Sequence, residues 1–380
     1  MLWRKLMTTA TVVVAIIVCA GAQSRPASRA SVGDGGPAVK AQLDAPSGVA
    51  VDENGHLYIY EAFGRAIRKV DLAKGTITTV AKGCNPPVQH PPPAGCFGPL
   101  TEIHRDPGGN LLLSEFTYDR LSLLDPNTLR LSVVASYGVL HADGESGHVA
   151  LAKYSGPHCS ATDDKGNVFI CDAGYYIRRI DSVTKVISTV AGSGKRGFAG
   201  DHGPATTAEF GLPTSVAVDR AGNLFITDDT SNRIRRVGAT TGLIETIAGT
   251  GDISRGSLVA YEFRGDGGLA TEARIVRPSS LAFNQNQDLL FVVAGRICRI
   301  NRETGTLSTI AGTGEEGFSG DGGPATKARI GPNALAVDSQ GNLFIAEFGN
   351  NRVRRVDAKT GRITTVAGNG LPYRPPPGIQ

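Results

Sequence analysis

Four side chains of this 380-residue chain have types and positions that could do chemistry: Glu102, His104, Glu115 and His158. His104 lies on the expected first strand of its unit, close to Glu102, and His158 follows Pro157 at the start of another first strand. If His104, His158 and one connector histidine (His141, His148 or His202) converged, they could hold a catalytic metal for a lyase or hydrolase, with Glu102 and Glu115 beside it. No short metal motif such as His-x-x-x-His is present, so nothing in the spacing requires this. No Gly-x-Ser-x-Gly elbow, P-loop or dinucleotide fingerprint occurs either. The favoured reading therefore has no catalytic residue, no metal site and no cofactor that the sequence demands.

Two further patterns carry charge. Arg68, Arg178, Arg235 and Arg354 recur in Ile-Arg-Arg-Val-like strands, and Glu61, Asp172, Asp228 and Glu347 end the strand before each. Antiparallel neighbours would pair them as buried structural ion pairs. One unit has Val293 and Cys298 and so loses both partners together. Another keeps Glu115 but has Ser122, leaving Glu115 without its usual arginine and open to a ligand. The motif Gly-Asp-Gly-Gly, at Gly265, Gly320 and Gly33, offers backbone N–H groups and a carboxylate. One Asp per copy is too few for calcium, so a turn followed by one helical turn is the expectation.

The elements that would position these residues repeat. One unit reads Pro213-Thr-Ser-Val-Ala-Val-Asp219, then Gly222-Asn-Leu-Phe-Ile-Thr-Asp228, Asn232-Arg-Ile-Arg-Arg-Val237 and Leu243-Ile-Glu-Thr-Ile-Ala-Gly249. Related units start at Pro46, Pro99, Pro157, Pro278 and Pro332. Each holds four short β-type runs split by turn signals, so the pattern predicts an all-β, six-bladed propeller with four strands per blade over residues 46–370. The last unit has no Gly-Asp-Gly-Gly connector after it, while a spare copy stands at Gly33-Asp-Gly-Gly-Pro-Ala38, before the first unit. Residues 23–45 are therefore expected to close the ring, and residues 371–380 to form a Pro-rich tail.

Composition agrees with a turn-rich β chain: 49 glycines, 41% hydrophobic residues and a net charge of only +4. Residues 1–22 read as a signal peptide, with Arg4 and Lys5 before an apolar run and small residues at Ala20-Gly21-Ala22. Cleavage leaves a nearly neutral chain with no membrane span, which argues against nucleic-acid partners. Secretion, or a periplasmic or envelope location, permits disulfides. Cys84 and Cys96 bracket a Pro-rich insertion, and Cys159 and Cys171 should face each other across a hairpin. Cys298 is left as a buried strand thiol.

The motifs Pro-x-x-Val-Ala-Val-Asp, Gly-Asn-Leu-Phe-Ile-x-Asp and Asn-Arg-Ile-Arg-Arg-Val resemble the NHL-repeat β-propellers of secreted bacterial proteins. The connectors resemble the NHL segment of teneurin-type proteins. This resemblance implies a propeller but spans binding modules, sensors and lyases. In a propeller the first strands line the channel, so Ser47, Thr101, His158, Thr214, Ser279 and Asn333 would ring one mouth. Phe63, Tyr118, Tyr176 and Phe348 would crowd the same face from the loops. The expectation is a secreted, non-catalytic binding module, working as a monomer on an extracellular protein, peptide or glycan. A metal-dependent lyase or hydrolase is the alternative, and a structural envelope protein a third.

Overall fold

The computed structural model describes residues 32–84, 95–136, 146–148, 156–252 and 263–371. The expected signal peptide, residues 23–31 of the segment 23–45, and nearly all of the Pro-rich tail lie outside these. The described residues form six antiparallel sheets, each built on a four-stranded meander, with a fifth short strand added to the third. Blade 1 holds β1 (Pro46–Val51), β2 (His56–Glu61), β3 (Ala66–Asp71) and β4 (Thr76–Lys82). Blade 2 holds β5 (Glu102–Arg105), β6 (Leu111–Glu115), β7 (Arg120–Leu124) and β8 (Leu131–Ser136). Blade 3 holds β10 (Cys159–Thr162), β11 (Val168–Asp172), β12 (Tyr176–Ile180) and β13 (Val186–Ala191), with a preceding short strand, β9 (Ser146–His148), paired to β13. Blade 4 holds β14 (Pro213–Val218), β15 (Leu224–Asp228), β16 (Arg233–Val237) and β17 (Ile244–Ala248). Blade 5 holds β18 (Ser279–Phe283), β19 (Leu289–Val293), β20 (Arg296–Ile300) and β21 (Leu307–Ala311). Blade 6 holds β22 (Ala334–Val337), β23 (Leu343–Glu347), β24 (Arg352–Val356) and β25 (Ile363–Ala367). Each first strand lies beside the first strands of both adjacent blades, and β1 touches β5 and β22, so the ring is closed.

The recurring Asp and Gly-Asn residues build the first hairpin of each blade. In blade 4, Asp219 accepts the Asn223 N–H at 2.8 Å and the Asn223 side-chain amide at 2.7 Å, and Asn223 Oδ1 then accepts Ala239 N–H at 3.0 Å. Blade 5 carries the same pair inverted, as Asn284 and Asp288. In blade 1, His56 takes the asparagine's place, its Nδ1 2.8 Å from Asp52, so it is not the solvated turn residue its position suggests. These contacts satisfy loop backbone groups and fix the register of the strands that follow.

Apolar side chains bury the seams between blades. Leu43, Val49 and Ile59 pack against Phe344, Ala346 and Val353, uniting blades 1 and 6. The N-terminal connector sits in that seam. Gly368 N–H donates to Ala38 O at 3.0 Å on one side, and Gly35 N–H to Ile77 O at 2.8 Å on the other. Its glycine is required by geometry: Gly33 has φ +97°, and a Cβ there would lie 2.9 Å from the Cα of Ala41.

The connector carboxylates do more than shape turns. Asp34, Asp201 and Asp321 each stand 2.7 Å from the guanidinium of Arg68, Arg235 and Arg354, three arginines with no exposed surface. Thr246 and Thr365 on the outer strands donate to the same carboxylates at 2.6 Å. The expected partners also contribute: Glu61 lies 3.2 Å from Arg68, Asp172 3.2 Å from Arg178 and Glu347 3.7 Å from Arg354. Asp228 departs from that scheme and accepts the Gly211 and Leu212 N–H groups. Glu115 is a second correction. Arg120 supplies the missing guanidinium from the start of β7, at 2.6 Å, and Ser122 donates at 2.5 Å. It is a fully satisfied buried ion pair and not a free ligand for substrate.

Both expected disulfides are present, Cys84–Cys96 and Cys159–Cys171, with Cα separations of 5.3 and 5.1 Å. Cys159 and Cys171 are direct cross-strand partners. Cys298 is buried in β20, and burial pushes its thiol up to about 12, which leaves it unreactive.

Leu43 lies outside every blade yet has no exposed surface. If the N-terminal connector is part of the closed core, Leu43→Ala should lower unfolding free energy by about 2–4 kcal/mol, as for any core leucine. Chemical denaturation of the protein measures this; a loss below about 1 kcal/mol would mean the seam is not closed there.

Candidate functional site

The first strands begin, and the second strands end, on one face of the ring: Pro46 pairs with Glu61 and Pro213 with Asp228. The loops after the second strands share that face. Four of the expected ligand residues meet at its blade 6/1 seam. Phe63, 47% exposed, meets Phe348 edge-to-face, with ring centroids 5.3 Å apart. Asn333 donates its side-chain amide to Ser47 O at 2.7 Å across the same seam. The hydroxyl of Ser47 is buried under that seam, with no hydrogen-bond partner among the described residues, so it offers nothing to a ligand on the face.

A second aromatic pair marks the blade 2/3 seam. His158 lies 4.8 Å from Phe116, and Thr101 Oγ1 donates to Pro157 O at 3.0 Å. Burial pulls the His158 imidazole below its ordinary value, although nearby Asp172 opposes this. Phe116 is partly exposed, but Tyr118 is not. Tyr118 was expected among the loop aromatics and instead lies buried beneath Gly98, 5.5 Å from the Arg120 guanidinium. The reason is local: residues 116–118 make one 3-10 turn, which turns Phe116 outward and Tyr118 inward. Thr214 spends its hydroxyl on Thr227 at 3.0 Å, and Ser279 is half-buried on β18. Tyr176 stacks at 4.1 Å over Arg178 and lines a separate polar cleft of about 500 Å³ with Lys195 and Glu209.

Deeper in the blade 2/3 seam lies a line of polar side chains, with His104, Ser160 and Thr162 at positions where the first strands of blades 1 and 4 carry Ala or Val. Glu102 accepts Ser160 N–H at 2.7 Å, Ser114 and Ser160 share a hydrogen bond at 2.9 Å, and His104 Nε2 lies 3.2 Å from Thr162 Oγ1. Burial pushes the Glu102 carboxyl up to about 8, opposed only by the Ser160 N–H, and pulls His104 down to about 4. Both side chains are therefore neutral near pH 6. His104 faces Thr162 while His158 faces Phe116, so they do not converge. Among the described residues, no three His, Cys, Asp or Glu side chains are gathered as a metal would need. The side chains of His141 and His148 lie outside the described residues. Reasoning from sequence missed Ser114, Ser160 and Thr162. The available signal was Ser160 and Thr162, polar residues where the first strands of blades 1, 4, 5 and 6 carry Val, Leu or Phe; nothing comparable marked Ser114.

Comparison with known proteins places this geometry. The family model for the Teneurin NHL domain matches residues 4–142. Teneurin-1 of Gallus gallus is 26% identical over 258 residues, which is 58% of this chain and 9% of the relative. The chain thus spans about a tenth of the length of that curated relative. A solved protein of unknown function from Bacteroides thetaiotaomicron superposes with a TM-score of 0.59 at 14% identity, covering 86% of this chain and 72% of its own. An auxiliary nutrient binding protein from the same organism gives 0.57 at 15% identity, covering 86% and 70%. Likeness at these identities is likeness of fold.

The titration of Glu102 has a testable sign. Its folded value of about 8 exceeds its ordinary 4.5, so the folded chain holds a proton that the unfolded chain releases. Stability from this group is complete below pH 4.5 and is lost as pH rises to about 8. Glu102→Gln keeps an acceptor for Ser160 N–H and removes the loss. Its melting temperature should match wild type near pH 4.5 and exceed it at pH 8.5. Parallel melting curves at both pH values would show that the carboxyl is solvated.

Proposed function

We propose that this chain, a member of the NHL-repeat β-propeller family, is an extracellular, non-catalytic binding module whose ligand surface is the loop face at the blade 6/1 seam. The observation that carries this reading is the exposed Phe63 ring, held edge-to-face by the half-buried Phe348, with the exposed side chain of Asn333 at the same seam. Exposed aromatic faces next to a few fixed polar groups recognise peptides and glycans by stacking and hydrogen bonding. Charge is not the means of recognition. The large arginines, Arg68, Arg235 and Arg354, are fully buried and paired with carboxylates. Two disulfides fit a location outside the cytoplasm. Among the described residues no helix is long and apolar enough to cross a membrane.

The test is an array of peptides and glycans, read with the mature protein and with Phe63→Ala and Phe348→Ala. Truncating an aromatic anchor at a binding centre costs about 2 kcal/mol or more, so each variant should weaken the hits by at least about tenfold with unchanged melting temperature. An absence of hits, or hits indifferent to both substitutions, would overturn the reading and leave a structural envelope role.

A further inference from the structure

Five of the six blades cover the outer edge of their fourth strand in the same way. In blade 1, Gly35 N–H donates to Ile77 O at 2.8 Å and Ile77 N–H to Gly36 O at 3.1 Å. Ile244, Leu307 and Ile363 make the same pair of bonds with the connectors before blades 4, 5 and 6. In blade 3 the cover is β9, which pairs Gly147 with Ile187. The connector Asp then reaches two residues further along the fourth strand. Asp266 accepts Thr309 N–H at 2.7 Å, and Asp321 accepts both the N–H and the hydroxyl of Thr365.

Blade 2 has lost every part of this arrangement. The third-strand arginine is Ser122, and the threonine of the fourth strand is Val133. Residues 85–94, ahead of the blade, contain no Gly-Asp-Gly-Gly and five prolines, none of which has an N–H to give to an edge. Leu131 holds the position of Ile77 and Ile244, opposite Leu124. Asp125 N–H donates to Arg130 O at 3.0 Å, and ladder alternation turns the N–H and C=O of Leu131 outward. Among the described residues, nothing pairs with that edge. Val133 and the nearby Leu129 are each 54% exposed.

We propose that the outer edge of β8 is a docking edge that takes an extended, uncharged segment of a partner protein as a fifth strand of blade 2. Open N–H and C=O groups supply the ladder, and Val133 supplies an apolar contact on alternate residues. Leu131–Ser136 carries no charged side chain, so a charged segment would gain no complementary partner there. A six-residue edge is also a small fraction of the roughly 800 Å² per partner that a stable interface buries, which favours a single extended segment over a second globular copy. This edge is distinct from the loop face and does not depend on it.

The probe is a capped, fluorescent peptide of alternating threonine and valine, with an N-methylated version that cannot form a ladder. Hydrogen exchange of the mature protein is followed over residues 129–136, with residues 243–248 as the covered reference. The proposal expects fast exchange at 129–136 in the free protein and protection on adding the peptide. It also expects a loss of at least tenfold in peptide affinity with Val133→Lys or with the N-methylated peptide. Val133 is exposed, so the substitution leaves the core intact, and melting checks this. No saturable binding, or binding indifferent to Val133→Lys, would overturn the proposal. So would a dimer of the mature protein that Val133→Lys dissociates, since the occupant would then be a second copy.

Discussion

A four-stranded sheet has two faces and two edges, and none of these six sheets can bury both faces alone. Everything else in the molecule follows from that shortage. Each face finds its cover in the next blade, so the chain must close on itself before any seam is complete. The last seam has no blade to supply its connector, and residues 33–43 fill it from the other end of the sequence. Leu43, Ala38 and Ala41 pack there against Phe344 and Val353. Stability in this architecture is therefore shared: a defect in the N-terminal connector exposes blade 6 as much as blade 1.

The buried arginines are the second consequence. A guanidinium with no exposed surface is tolerated only if its charge is paired and its N–H groups are bonded. Arg354 meets Asp321 and also donates to Ser319 O and Arg329 O. Arg235 donates likewise to Glu209 O and Ala199 O. Each of these arginines gathers a connector onto the third strand, and the connector in turn covers the fourth. A long loop, which would otherwise be mobile, becomes part of the blade.

The ring and its closure were legible in the sequence because they depend on counting. Six units, five internal connectors and one spare copy leave a single arrangement. The two disulfides were legible for a similar reason, since Cys159 and Cys171 stand equally far from one turn. The clasp was only half legible. Acid and arginine on neighbouring strands can be paired from register, but Asp34 and Arg68 are brought together by a chain reversal that no local pattern encodes. Glu115 was misread because its arginine moved from one strand position to another, from Ser122 to Arg120, while the ion pair survived. Tyr118 was misread because one 3-10 turn decides which of two aromatics faces outward. Stacking on the loop face depends on such single-turn rotations, so its residues were named more readily than their orientations.

In a ring of near-equivalent units, function has to live where equivalence fails. Blade 2 and its seam with blade 3 fail most. Glu102, His104, Ser160 and Thr162 stand where other first strands have small or apolar residues, yet the structure spends these groups on one another across the seam. That accounts for them as interior polar pairing, at the expense of a pH-dependent carboxyl. The outer edge of the same blade differs in kind. Arginine, aspartate and threonine are absent together, and among the described residues no compensating contact replaces them on β8. An exposed strand edge invites pairing with other chains, and natural sheets usually blunt it with charge, proline or a cover. The other five blades are covered. Among the described residues the cover recurs five times and is missing once, with a valine where the connector's threonine partner stands elsewhere, and that difference is what the proposed docking edge rests on.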